Sequence, residues 1–99
     1  MKISVSDRAH DYVVSEIGLE PGQGLNFTSK VYGATEIHDG FSVAIHVKDP
    51  QNEAILAQEE KDGIIYFTSQ EDDWFFAGHD FAVDFDPDKE NFVYRFPNA

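Results

Sequence analysis

Apolar residues alternate with polar ones in several short runs of the chain, a pattern typical of strands with one buried face. The alternating runs cover residues 3–5, 25–30, 41–47, 81–85 and 92–96. Residues 64–67 are apolar at every position, which predicts a strand covered on both faces. Residues 54–59 give a weaker signal that fits either a short strand or an irregular crossing. The pattern therefore predicts a protein rich in short strands.

Helical spacing of apolar residues interrupts this pattern near the N-terminus. Apolar side chains at positions 9, 12, 13 and 17 predict an amphipathic helix over residues 7–17, with Ser6 as its N-cap and Gly18 at its end. A second, short helix is predicted over residues 71–76, capped by Ser69 and ended by Gly78.

Two connections differ in what they predict. Lys61, Asp62 and Gly63 predict a tight hairpin turn, because glycine tolerates the positive φ that such turns demand. Residues 31–40 contain Gly33 and Gly40 and show no regular pattern, so we interpret them as a loop much longer than a hairpin needs. Long loops in compact domains are often functional.

These elements predict an α+β fold: a small, twisted, mostly antiparallel β-sandwich or partial barrel of about six or seven strands. The N-terminal helix and one short second helix would pack on it. A length of 99 residues with 41% hydrophobic content suits one domain spanning residues 1–99.

The charge narrows the choice of partners. The chain carries 19 acidic and 7 basic residues, a net charge of −12, which disfavours nucleic acids and anionic membranes. No apolar run approaches the roughly 20 residues that cross a bilayer, and the N-terminus lacks the apolar core of a signal peptide. We therefore expect a cytoplasmic protein without nucleic-acid or membrane partners. A cation or a basic protein partner fits the charge.

The chain has no cysteine. This absence removes disulfides, cysteine nucleophiles and thiolate metal sites, and it agrees with a reducing compartment. No serine–histidine–aspartate spacing, phosphate-binding glycine loop or zinc motif is recognisable, so nothing positive supports an enzyme.

Several short motifs occur in an order that resembles a known family, and they extend over nearly the whole chain. They are Ser6, Asp7, Arg8 and Ala9 at the start of the helix; residues 25–40; Asp62 and Gly63; Phe76, Ala77 and Gly78; and the ending Tyr94, Arg95, Phe96, Pro97 and Asn98. Together they resemble the HesB-like, A-type iron–sulfur carrier family, which implies a HesB-like fold and a link to iron–sulfur chemistry.

The chain lacks the cysteine residues that ligate the iron–sulfur cluster in the carriers. The resemblance implies one cysteine in the segment that corresponds to residues 31–40, near residues 33–35, and a Cys-Gly-Cys group beyond the C-terminal motif. Neither is present, so an iron–sulfur cluster held by cysteine is excluded and no cofactor is expected. The chain resembles the cysteine-free, YneR-like branch, whose pattern is matched by Gly33, Ile37, His38, Gly40, Phe41, Ser42, Asp73, Trp74, Gly78, His79 and Asp80.

Two histidines are candidates for binding a ligand. His38 and His79 lie in predicted loops beside glycines, and we group them with Asp73 and Asp80 as a candidate site for a metal or small ligand. The alternative is that each histidine makes a hydrogen bond that fixes its loop. We interpret His10 and His46 as packing or surface residues, without a functional role.

Trp74, Phe75 and Phe76 are consecutive aromatic residues, and a short helix cannot bury all three on one face. Two should pack in the core, and the third is a candidate for contact with a partner or a second copy.

Three functions remain open at this stage. The leading hypothesis is a non-catalytic HesB-like domain that is accessory to iron or iron–sulfur homeostasis. The second is a metal- or small-ligand-binding protein, or even an enzyme, that uses His38 and His79. The third is a homodimeric interaction module that uses the three aromatic residues.

Overall fold

A computed structural model describes residues 1–35 and 37–97 of the chain. The strands are β1 Ile3–Val5, β2 Gly24–Ala34, β3 Asp39–Lys48, β4 Ile55–Lys61, β5 Ile64–Ser69, β6 Phe81–Asp86 and β7 Asn91–Arg95. The helices are α1 Asp7–Tyr12, which continues as a π-helical turn over Val13–Ile17, and α2 Asp73–Phe76, which follows a 3₁₀ turn over Gln70–Asp72.

The described strands form two sheets, ordered β1-β6-β7 and β3-β2-β5-β4. The pairs β2–β3, β4–β5 and β6–β7 are antiparallel, whereas β1–β6 and β2–β5 are parallel. The predicted α+β class is confirmed. The two parallel pairs join segments distant in sequence, which local alternation cannot reveal.

The N-terminal helix begins and ends where its sequence predicts. The Ser6 hydroxyl accepts a hydrogen bond from the backbone N–H of Ala9, and Gly18 takes a left-handed conformation with φ of 80°. The second helix differs from its prediction, because Ser69 makes no side-chain cap. The hydroxyl of Ser69 instead accepts from the side-chain amide of the buried Asn26, at 3.3 Å.

The predicted long loop over residues 31–40 is wrong. Strand β2 continues to Ala34 and β3 begins at Asp39, so the two strands form one long hairpin. The pairing register shifts between Val31 and Ala34, which marks a β-bulge. Tyr32 and Gly33 both take positive φ within this bulge, at 145° and 81°. Gly33 therefore lies at an irregularity inside a strand and does not begin a loop.

Aromatic rings fill the space between the two sheets. Phe81 of β6 contacts Phe27 of β2, Tyr94 of β7 and Phe76 of α2, with ring centroids 5.6, 5.8 and 5.1 Å apart. Phe27, Phe76 and Phe81 have no exposed surface. Because Phe76 contacts Phe81 in this core, α2 is held against β6.

Asp84 ties the N-terminal helix to β6. Its carboxylate accepts hydrogen bonds from Arg8 Nε at 2.8 Å, Arg8 Nη2 at 2.7 Å, the Ser6 hydroxyl at 2.7 Å and the backbone N–H of Phe85 at 2.8 Å. The Arg8 guanidinium contributes most to holding the pKa of Asp84 well below its ordinary value of 3.8, and the hydrogen bond from Ser6 adds to this effect.

Replacing Asp84 with asparagine should destabilise the protein at neutral pH and remove a pH-dependent part of its stability. A carboxyl whose pKa is lowered by folding stabilises the folded state above its ordinary pKa of 3.8, and this contribution is lost as pH falls through the lowered folded value. Urea unfolding at about pH 7 and about pH 3 should therefore give a difference between wild type and Asp84→Asn that shrinks at the lower pH. Asp88→Asn, which removes an exposed turn carboxylate, is the control. An equal difference at both pH values would contradict the assignment.

Candidate functional site

The end of the β2–β3 hairpin packs on α2 through aromatic side chains. We call His38, Phe41, Trp74 and Phe75 the tip cluster. The ring of Trp74 lies edge-on to Phe41 and His38, with centroid distances of 5.3 and 5.9 Å, and His38 stacks on Phe75 at 5.2 Å. The cluster thus connects the hairpin to the second helix.

A hydrogen bond fixes the position of His38. Its Nε2 lies 3.0 Å from the backbone carbonyl oxygen of Phe75. A carbonyl oxygen can only accept, so Nε2 carries the proton and Nδ1 is the ring nitrogen left for another partner. The last carbonyls of a helix have no partner within the helix, and His38 satisfies one of them in α2. The structure thus contains the hydrogen bond expected if His38 fixes its loop.

A second hydrogen bond holds the start of α2 to the same hairpin. Asp72 is 6% exposed, and its Oδ1 accepts from the Ser29 hydroxyl at 2.7 Å. The backbone N–H of Ser29 lies 3.4 Å from the same oxygen. The other carboxylate oxygen, Oδ2, is buried and has no hydrogen-bond partner among the described residues. The hairpin therefore holds α2 at both ends, through Asp72 and through His38.

His79, Asp73 and Asp80 lie near α2, but no hydrogen bond or ion pair among the described residues joins them to His38. The backbone N–H of His79 donates to the carbonyl of Phe76 at 2.9 Å and closes the turn after the helix. Asp73 is exposed at the start of α2. Asp80 Oδ1 accepts from the backbone N–H of Lys2 at 2.9 Å. Within residues 1–35 and 37–97, no group of three or more acidic or histidine side chains is arranged to hold a metal ion. The ligand-binding hypothesis stays a prediction.

The three consecutive aromatic residues divide as predicted. Phe75 and Phe76 are fully buried, whereas Trp74 is 53% exposed. Of the three residues proposed as an interaction surface, Trp74 alone has a side chain that a partner could reach.

Sequence reasoning missed the role of His10. This side chain is 6% exposed and lies between Tyr66 and Asp62, with Nδ1 2.6 Å from the Tyr66 hydroxyl and Nε2 2.8 Å from Asp62 Oδ2. Burial raises the pKa of Tyr66, so this hydroxyl stays protonated and can donate to Nδ1 while Nε2–H donates to Asp62. Tyr66 has no exposed surface, so the arrangement links α1 to β5 and cannot present a nucleophile to a substrate. His10 lies three and seven residues before Val13 and Ile17, a spacing that places it on the buried face of the helix, and this spacing is the sequence signal that indicates its burial.

A shallow groove of about 450 Å³ lies away from the tip cluster and is lined mainly by apolar side chains. Burial raises the pKa of Tyr94, which lines this groove, to about 12, so its hydroxyl stays protonated at neutral pH.

The described part of the chain contains no helix of the length and apolarity needed to span a membrane.

Comparison with known proteins gives two curated relatives. The chain is 28% identical to the pyruvate dehydrogenase inhibitor of Bacillus subtilis over 96 residues, which cover 97% of this chain and 99% of that protein. It is 30% identical to the uncharacterised protein SH1556 of Staphylococcus haemolyticus over 85 residues, which cover 85% and 86% of the two chains. No protein-family model matches the sequence.

Solved structures that share the fold include the following two. Escherichia coli SufA, which is involved in the biosynthesis of iron–sulfur clusters, superposes with a TM-score of 0.69 at 19% identity, covering all of this chain and 89% of SufA. A protein of Lactobacillus acidophilus attributed to Fe–S biosynthesis superposes with a TM-score of 0.53 at 22% identity, covering all of this chain and 81% of that one. At these identities the likeness establishes the architecture and carries no activity over.

Replacing His38 with alanine should lower the free energy of unfolding by about 1–2 kcal/mol, because it removes the hydrogen bond to Phe75 and the stacking on its ring. His46→Ala, on the exposed part of β3, should change it by less than about 0.5 kcal/mol. Urea unfolding of both variants gives the comparison. Equal stabilities of the two variants would contradict the structural role.

The same variant tests whether His38 binds a metal. If it does, added zinc should raise the melting temperature of the wild type more than that of His38→Ala, because a ligand that binds the folded state stabilises it. The same response in both proteins would exclude His38 as a ligand.

Proposed function

The chain belongs to the cysteine-free, YneR-like branch of the HesB-like family, and from this premise we propose that it is a non-catalytic regulator that binds and inhibits the pyruvate dehydrogenase complex. The observation that carries the proposal is the relationship to the pyruvate dehydrogenase inhibitor of B. subtilis. That relationship extends over 97% of this chain and 99% of the relative, so nearly every segment of the inhibitor has a counterpart here.

The chemistry of the chain supports a binding role. Without cysteine it has no thiolate to ligate an iron–sulfur cluster, although it keeps the fold of SufA. A small protein without a catalytic group of its own can inhibit an enzyme by occupying part of its surface. Such contact depends on exposed apolar side chains, and Trp74 of the tip cluster is exposed by about half.

An accessory role in iron–sulfur homeostasis is the second candidate, and the fold shared with SufA favours it. The two functions differ in what a deletion strain should show. Loss of an inhibitor raises pyruvate dehydrogenase activity in cell extracts and leaves an iron–sulfur enzyme such as aconitase unchanged. Loss of an accessory factor lowers aconitase activity.

The purified chain should inhibit pyruvate-dependent NADH formation by the purified pyruvate dehydrogenase complex of the same organism. Half-inhibition is expected at micromolar concentration or below, that is, with a binding free energy of about −8 kcal/mol or stronger. A heat-unfolded sample of the chain is the control, because inhibition by contact requires the folded surface. An unchanged rate, together with separate elution of chain and complex on size-exclusion chromatography, would contradict the proposal.

A further inference from the structure

Exposed apolar side chains lie beside the tip cluster. Val31, on β2, is 65% exposed and pairs directly with Phe41 of β3. Paired residues of antiparallel strands place their side chains on the same face of the sheet, so Val31 lies next to Phe41, which in turn contacts Trp74. We call Val31, Phe41 and Trp74 the tip surface. Tyr32, which follows Val31 in the bulge, is 78% exposed.

Hydrogen bonds and core packing fix the helix that carries Trp74, although the tip surface lies at the end of a hairpin. The His38–Phe75 and Ser29–Asp72 hydrogen bonds fix α2 to the hairpin on either side of Trp74. Phe75 and Phe76 anchor the same helix in the core. A surface that is already ordered loses little conformational entropy when it binds, so exposed apolar area on it is effective for recognition.

Three exposed carboxylates lie in the same segments of the chain as the residues of this surface. Asp39 follows His38 in the chain, Asp73 precedes Trp74, and Glu71 lies in the turn before α2; all three are exposed. The ion pairs among the described residues involve none of these carboxylates. Lys30, next to Val31, is the single cation adjacent in sequence to the tip surface. The segments that carry the tip surface therefore hold more exposed negative charge than positive charge.

We infer that the tip surface binds a protein partner through an apolar pocket rimmed by lysine and arginine, with Trp74 as the anchor. Complementary charge steers two proteins together and suppresses wrong partners, while a buried aromatic anchor supplies most of the affinity. The inference rests on the proposed function, in which the partner is a subunit of the pyruvate dehydrogenase complex.

Trp74 is the only tryptophan of the chain, so a label on tryptophan reports on this surface alone. The chain is produced with 5-fluorotryptophan and its ¹⁹F resonance is followed as unlabelled pyruvate dehydrogenase complex is added. The resonance should shift or broaden, because Trp74 passes from solvent into a contact with a much larger particle. Binding without any change in the resonance would overturn the inference and leave the proposed function intact.

Variants give an independent readout. Trp74→Ala should raise the concentration for half-inhibition at least about tenfold, as expected for an interface anchor. The matched control is Val14→Ala, which removes an apolar side chain 45% exposed on the N-terminal helical segment and should change inhibition by less than about twofold. The double variant Asp39→Asn with Asp73→Asn keeps Trp74 and should weaken inhibition, with a smaller dependence on salt. Equal inhibition by all these variants would overturn the inference.

If the wild type does not bind the complex, the proposed function fails. Binding of a synthetic peptide to the tip surface then tests the inference separately. The probe is a synthetic peptide that alternates arginine with leucine, compared with one that alternates glutamate with leucine. The basic peptide should shift the Trp74 resonance, and less so in the double variant. No shift at about millimolar peptide would overturn the inference. A shift that depends on the concentration of the chain itself would instead identify a second copy as the occupant and would also overturn it.

Discussion

The contacts of the Phe81 ring hold the two sheets and the second helix together. The ring touches aromatic side chains from β2, β7 and α2, and it also contacts Phe96 beyond the last strand, at 5.4 Å. Burial of one phenylalanine side chain contributes about 1.5–3 kcal/mol, and edge-to-face contacts add to this. Because β1, β6 and β7 make no ladder with the other sheet, such side-chain packing helps to orient one sheet on the other, together with the hydrogen bond from the backbone N–H of Val5 in β1 to Glu59 Oε1 in β4 at 2.9 Å.

This core also determines which aromatic residue faces solvent. A helix of four residues is not stable by itself, so α2 depends on the burial of Phe75 and Phe76. Successive residues of a helix point about 100° apart, and two neighbours that face inward turn the residue before them outward. Trp74 is therefore exposed as a geometric consequence of how α2 is anchored. The indole of Trp74 is partly covered by Phe41 and His38, and the remaining 53% of its surface is open to solvent.

Local patterns in the sequence predicted local structure well. The hairpin turn at Asp62 and Gly63 is present with φ values of 51° and 82°, and the alternation of Phe81, Val83 and Phe85 corresponds to β6. The sequence does not predict the long β2–β3 hairpin, because Gly33 interrupts the alternating pattern. In the structure Gly33 lies in a bulge, and the pairing of β2 with β3 resumes beyond it. The link from His10 to Tyr66 joins residues 56 positions apart, and no local pattern encodes such a partner. For the candidate site, the sequence pointed to His38 and Trp74 but could not place them side by side.

The hairpin tip also connects the family resemblance to the proposed function. The resemblance places the loop cysteine of the carriers near residues 33–35, which lie at this tip. Gly33, the first of these positions, has φ of 81°, and a Cβ there would lie 3.2 Å from Cβ of Ser42. A cysteine at Gly33 would thus be strained in both backbone and packing, so at this position the hairpin geometry itself opposes a thiolate. The same end of the fold that would carry a cluster ligand in the carriers here presents the exposed side chains of Val31 and Trp74, in segments that also hold exposed carboxylates. Under the proposed function, the tip of the β2–β3 hairpin is a functional part of the fold in both kinds of protein. It would ligate metal in the carriers and contact a protein partner here.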